Sequence, residues 1–130
     1  MAWLEGRRKL IGVEPFNAPT LTQALKHGPQ TTVEVSGLAA NALGAKQAGR
    51  ICYDLARITN TGCVNVKDEA IAEAQHRLWS ELRLVVEPAG AAALAALLSG
   101  AYRPQKDERL AVMLCGANPA VSPFEPAKLQ

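Results

Sequence analysis

Two short stretches carry the side chains best suited to chemistry. Cys115-Gly116-Ala117-Asn118 follows the apolar run Leu110-Ala111-Val112-Met113-Leu114, and Glu87-Pro88-Ala89-Gly90 stands just before an alanine-rich stretch. A thiol after a strand can present a weak hydrogen-bonding group to a ligand. A carboxylate at a helix start can serve as an acid/base or an electrostatic group. In open α/β sheets, ligands sit beyond the carboxyl ends of strands, and Glu14-Pro15, after Leu10-Ile11-Gly12-Val13, is a further candidate turn. Each signal also has an ordinary explanation. Glu-Pro is a common strand stop, a cysteine after a strand often serves as a small hydrophobe, and an acid at a helix N-terminus stabilises it without catalysis.

The elements that would position these residues can be read from spacing. Met1 to Glu5 reads as the last turn of a helix, ended by Gly6 and followed by Arg7, Arg8 and Lys9. Leu10 to Val13 reads as a strand, and Pro19 opens a helix from Thr20 to His27, closed by Gly28-Pro29. Thr31 to Val35 reads as a short extended segment, followed by the Ser36-Gly37 turn. A long helix is predicted from about Ala40 to Thr59 on the spacing of Leu43, Ala48, Ile51, Leu55 and Ile58, with Cys52 inside its core face. Cys63 to Val66 reads as a strand. Asp68 and Glu69 suit a first helical turn, with Ile71, Ala74, Leu78 and Leu82 forming one stripe. Pro88 starts a helix to about Leu98, ended by Ser99-Gly100. Leu110 to Leu114 has the clearest pattern of a buried strand, and the tail 119–130 reads as loosely ordered. Strands alternating with helices imply an α/β fold, a mostly parallel sheet flanked by helices. Three strands are few for such a sheet, so one edge is expected to need a partner.

Composition narrows the function classes. The chain has 130 residues, 48% of them hydrophobic, which suits one domain and offsets the entropy of ordering. A formal charge of +2, with acids and bases interleaved, gives no reason to expect nucleic acid or an anionic membrane. The apolar run Ala89 to Leu98 falls short of the roughly 20 residues that span a bilayer. Cys52, Cys63 and Cys115 are odd in number, and with His27 and His76 they make no metal-ligand spacing. Three reduced thiols in a cytoplasmic protein are the expectation.

Taken in order, Leu10-Ile11-Gly12-Val13-Glu14-Pro15, Val35-Ser36-Gly37-Leu38-Ala39, Val86-Glu87-Pro88-Ala89-Gly90-Ala91-Ala92-Ala93 and Leu114-Cys115-Gly116-Ala117-Asn118 closely resemble the second half of the serine/threonine dehydratases. Those are pyridoxal-phosphate enzymes of the tryptophan-synthase-β-like fold (fold type II). The resemblance runs from about Trp3 to Asn118, so residues 1–118 are expected to be the C-terminal part of such a domain.

The resemblance implies roles. Cys115 matches the Ser or Cys position that faces the cofactor's pyridine nitrogen. A thiol does not hold that nitrogen protonated as an aspartate would, which leaves a weaker electron sink suited to β-elimination. Asn118 would orient Cys115 or simply cap the turn. Ser36-Gly37 matches a loop passing close to the cofactor ring, where glycine lets the backbone approach, or is an ordinary turn. Glu87 would stand near the active site. Glu14, Ala18 and Thr20 overlay a cation site of some family members, with Thr20 in place of an acid.

The family's Schiff-base lysine lies in a Ser-x-Lys-x-Arg-Gly-like context. Lys9, Lys26, Lys46, Lys67, Lys106 and Lys128 all lack it, and the glycine-rich phosphate loop would precede Met1. The implied activity is deamination of L-threonine or L-serine to a 2-oxo acid and ammonia. The chain alone is expected to be inactive and not to bind pyridoxal phosphate stably. A homo-oligomer or a complementary N-terminal half is the expected partner. The alternative is a non-catalytic α/β module that self-associates or binds a small molecule.

Overall fold

The computed structural model describes residues 8–117. Strand β1 (Ile11–Pro15) pairs in parallel with β2 (Gly62–Val66), in the register Ile11↔Gly62 through Pro15↔Val66. Between them lie helix α1 (Thr20–His27) and helix α2 (Arg50–Ile58). Helix α3 (Asp68–Leu82) and helix α4 (Pro88–Leu98) follow β2.

Local chemistry explains the bounds. Proline at position 88 fits the first turn of α4, where its missing N–H costs nothing. From Ala89 to Leu98 every residue except Gly90 is alanine or leucine, the strongest helix formers among the apolar residues. Helix α3 begins with Asp68 and Glu69 at its positive pole and ends where Arg83 turns left-handed, at φ 58°. There Leu84 N–H bonds back to Leu78 O at 3.0 Å, which satisfies one of the last helical carbonyls.

The core lies between α3 and α4 and over the strands. Ile71, Ala74 and Leu78 face Ala91, Ala92, Ala95 and Ala96, with Val66 and Ala39 completing the cluster. Helix α4 is apolar all round, and its buried side is made only of Gly90 and alanines. Small side chains let the helix backbone come close to its neighbours. Leu82, predicted to join the α3 stripe, is exposed because the left-handed turn at Arg83 ends the packed face one turn earlier.

Three expectations need correction. The long helix from Ala40 shrinks to Arg50–Ile58. Residues 39–43 make only an isolated turn, Leu43 N–H to Ala39 O at 2.7 Å. Beyond Gly44 the chain returns antiparallel to Thr32, with Val33 N–H on Lys46 O at 2.8 Å. Two glycines, Gly44 and Gly49, interrupt what the apolar spacing had joined. Cys52 is exposed on α2 rather than inside a core face. Leu110 to Leu114 is not a strand and its side chains are largely exposed, because no neighbouring strand among the described residues offers it a ladder. Ile11 to Val13 are only partly buried in a sheet of two strands, and Leu10 is exposed. The helix end at Met1 to Glu5, Asn118 and the tail 119–130 lie outside the described residues.

Candidate functional site

The structure brings Glu87 and the Cys115 turn together. Glu87 precedes α4 in extended backbone, and its N–H donates to Gly116 O at 3.2 Å. Gly116 has φ +76°, a left-handed conformation, and the Glu87 carboxylate lies directly over its α-carbon. A side chain at position 116 would overlap Glu87 Oε1. From the other side, a Cβ at Gly90 would overlap the carbonyl oxygen of Cys115. The turn after Leu114 is thus pressed onto the first turn of α4 through two glycines. The Cys115 side chain itself is exposed. An exposed thiol in such a turn can accept or donate weak hydrogen bonds to a flat ring placed against it.

Gly37 belongs to a different arrangement. Its φ is +87°, and a Cβ there would overlap Asp68 Oδ2 and stand 3.1 Å from Asn17 Nδ2. Asp68 Oδ2 accepts the N–H of Leu38 at 2.8 Å and the amide of Asn17 at 3.5 Å, while Ser36 N–H bonds Asn17 O at 3.0 Å. The loop after Val35 is therefore clamped to the ends of both strands by the first residue of α3. Asp68 Oδ1 is buried with no partner among the described residues. Beside this clamp runs an open groove lined by Phe16, Asn17, Lys67, Asp68 and Glu69. Asn17 and the clamping role of Asp68 escape a reading of the sequence. An acid at the first helical position, two residues after the last residue of a strand, is the available signal, but nothing in spacing ties it to a glycine 31 positions earlier.

Glu14, Ala18 and Thr20 are all engaged at or near the start of helix α1. Glu14 Oε1 accepts Leu21 N–H at 2.7 Å, and Oε2 accepts Thr22 N–H at 2.8 Å and the Thr22 hydroxyl at 2.7 Å. Helix α1 has no acid in its first turn and no side-chain cap of its own, so β1 supplies one. The Thr20 hydroxyl donates to Ala45 O at 2.6 Å, and Ala18 is buried with its N–H on Pro15 O. Among the described residues no three His, Cys, Asp or Glu side chains gather into a metal-holding group. Cys63, partly buried on β2, has its thiol pushed above the ordinary value, first by burial and then by the nearby Glu14 carboxylate, while Thr22 pulls the other way. His76 is exposed on α3.

The family model for pyridoxal-phosphate-dependent enzymes matches residues 1–116. The chain belongs to that family. Phenylserine dehydratase of Ralstonia pickettii is 31% identical over 116 residues, 89% of this chain and 36% of the relative. L-threonine ammonia-lyase of Thermotoga maritima is 30% identical over 85% of this chain and 27% of the relative. Among solved structures, a threonine deaminase from T.th. superposes with a TM-score of 0.77 at 33% identity, covering 88% of this chain and 42% of that one. Serine racemase from Dictyostelium discoideum shares the fold, with a TM-score of 0.71 at 22% identity, over 91% of this chain and 38% of that one. This member of the pyridoxal-phosphate-dependent family therefore has part of a fold type II domain, and it spans no more than 36% of the length of the curated relatives named above. No helix among the described residues is long and apolar enough to cross a membrane.

Proposed function

We propose that this chain contributes the ring-facing part of the active site of a pyridoxal-phosphate-dependent L-threonine or L-serine dehydratase. The observation that carries the reading is the seating of the Cys115–Gly116 turn on Glu87 and Gly90, which fixes one exposed thiol beside the start of a helix. The residues fit one end of the cofactor. A thiol is a weak donor, and it suits a pyridine nitrogen that need not carry a proton. When bound, the cofactor supplies the electron sink that labilises the substrate's α-proton.

This chain's own residues do the remaining work that can be assigned. Cys115 offers its thiol to the ring edge, Glu87 holds the turn behind it, and Gly37 shapes the loop closed by Asp68. Asn118, three residues along the sequence, is assigned with Cys115 to the cofactor side by the family resemblance. The reactive lysine and the phosphate-holding loop belong to the portion of the fold outside these residues. These residues on their own therefore do not complete the reaction and work with the rest of the fold, whether it lies in the same polypeptide or in a complementary one. Self-association through exposed apolar residues is the rival arrangement, favoured by Ile51 and Ile58 on α2, which are 75% and 79% exposed.

Complementation tests the proposal. The purified chain is mixed with a separately produced polypeptide carrying the family's lysine and glycine-rich loop, with pyridoxal phosphate and L-threonine, and 2-oxo acid is measured. Activity from the mixture and from neither part alone is expected. A borohydride-fixed cofactor adduct at one specific lysine of the isolated chain would overturn the division of labour. A mixture that assembles but leaves L-threonine and L-serine unchanged would overturn the reaction.

A further inference from the structure

A side chain at the end of a strand is normally placed by the ladder that holds the strand. Among the described residues Leu110 to Leu114 pairs with neither strand of the two-stranded sheet, and the turn after it meets α4 through two glycines. Gly90, buried in the first turn of α4, leaves room for Cys115 O to approach so closely that a methyl group would overlap it. The space a Cβ at Gly90 would fill also borders Gly116 O at 3.1 Å. Gly116, at φ +76°, leaves room for the Glu87 carboxylate and turns its own carbonyl to accept the Glu87 N–H at 3.2 Å.

We infer that Gly90 and Gly116 are positioning residues that seat the Cys115 peptide on the N-terminal turn of α4, so that the start of this helix sets where the turn bearing the thiol stands. This goes beyond the assignment of Cys115 to the cofactor ring, and its importance for catalysis rests on that assignment. The seat itself does not. At position 90 the overlap is with a backbone carbonyl and cannot be relieved by rotating a side chain, so an alanine there must lift the turn away from the helix. At position 116 the overlap is with a flexible carboxylate, but the left-handed backbone still disfavours a side chain.

The test uses the full chain and reads position rather than turnover. A nitroxide is attached at Cys115 in a Cys52→Ser, Cys63→Ser background, and its mobility is read from the spectral line shape. Hydrogen exchange is followed at the Glu87 amide, which donates to Gly116 O. Gly90→Ala is expected to speed the label's motion and raise Glu87 exchange roughly tenfold, the change that goes with about 1.4 kcal/mol of lost protection. Protection of amides inside α3 should be unchanged. Gly116→Ala should do the same, and Glu87→Ala should recover part of the label's immobility in the Gly116→Ala chain because one of its two obstacles is gone. If Gly90→Ala unfolds α3 and α4 together, Gly116→Ala with and without Glu87→Ala decides the matter alone. An immobile label and a protected Glu87 amide in a folded Gly90→Ala or Gly116→Ala chain would overturn the seat. Failure of the complementation assay with the seat intact would instead overturn the proposed function and leave the seat standing.

Discussion

Glu14→Ala isolates the contribution of one carboxylate to the joint between β1 and α1. The carboxylate accepts two backbone amides and one hydroxyl, at 2.7 to 2.8 Å, from a helix with no other acid at its start. Hydrogen bonds to a charged group contribute about 1.5–3 kcal/mol each, and a favourable charge at a helix pole up to about 2 kcal/mol. These overlap, and water reaches the half-exposed Leu21 amide more easily than that of the buried Thr22. The net loss is therefore about 2–4 kcal/mol, which lowers Tm by on the order of 10 °C in a chain of this size. Glu14→Gln keeps one acceptor but turns an NH2 group toward a donor, and it should lose roughly half as much. Urea unfolding followed by circular dichroism in chelator-treated protein provides the measurement. The reasoning fails if Glu14→Ala costs under about 0.5 kcal/mol. It also fails if potassium, magnesium or calcium stabilises the wild-type chain but not the variant, because Glu14 would then be serving a cation and not the helix.

Gly37→Ala should destabilise by about 2–3 kcal/mol, from a left-handed backbone and from displacement of Asp68, and unfolding curves should show Asp68→Ala and Gly37→Ala to be non-additive. The raised thiol of Cys63 gives a pH signature. The unfolded chain releases that proton near the ordinary value of 9.0 while the folded chain still holds it, so stability is full below that pH and falls as pH rises through the raised value. Cys63→Ala should flatten this part of the stability–pH curve, and Cys63 should alkylate more slowly than the exposed Cys52 and Cys115 at about pH 8, as read by peptide mapping. Ile51→Lys with Ile58→Lys should change folding stability by less than about 0.5 kcal/mol each. If α2 carries self-association, light scattering should show the pair of substitutions shifting oligomer to monomer.

What the sequence reveals depends on whether a signal is local. Helices α1 and α4 match their predicted spans, because Pro19, Gly28, Pro88 and Ser99 act within one turn of the helix ends they set. Between residues 40 and 49 the apolar spacing continues across Gly44 and Gly49 as though one helix ran through, while the bridge from Thr32 to Gln47 depends on residues 15 positions apart. Leu110 to Leu114 misleads for a related reason. An apolar run states that burial is favourable, but only a neighbouring strand can supply the ladder. At the site, Glu87 and Cys115 are legible as separate candidates through order and resemblance. Their contact through Gly90 is not, since a glycine in an alanine-rich helix looks like any small residue until another backbone is seen against it. The clamp of Asp68 on Gly37 is hidden in the same way.

The buried side of α4 offers nothing larger than a methyl group, while the largest fully buried side chains among the described residues are Ile71, Val66 and Pro15. Tolerance to change along that helix is consequently one-sided. Truncation at Ala91, Ala92, Ala95 or Ala96 removes a single carbon and opens a void too small to matter much, whereas any enlargement must push two backbones apart. A population of random variants would accumulate glycine and serine at these positions far more readily than valine or leucine. Sequence drift there would loosen the helix by its own poor propensities long before it disturbed the packing. The helix is thus constrained first in volume, and a deep mutational scan would show it as a band in which side-chain size ranks the survivors before polarity does.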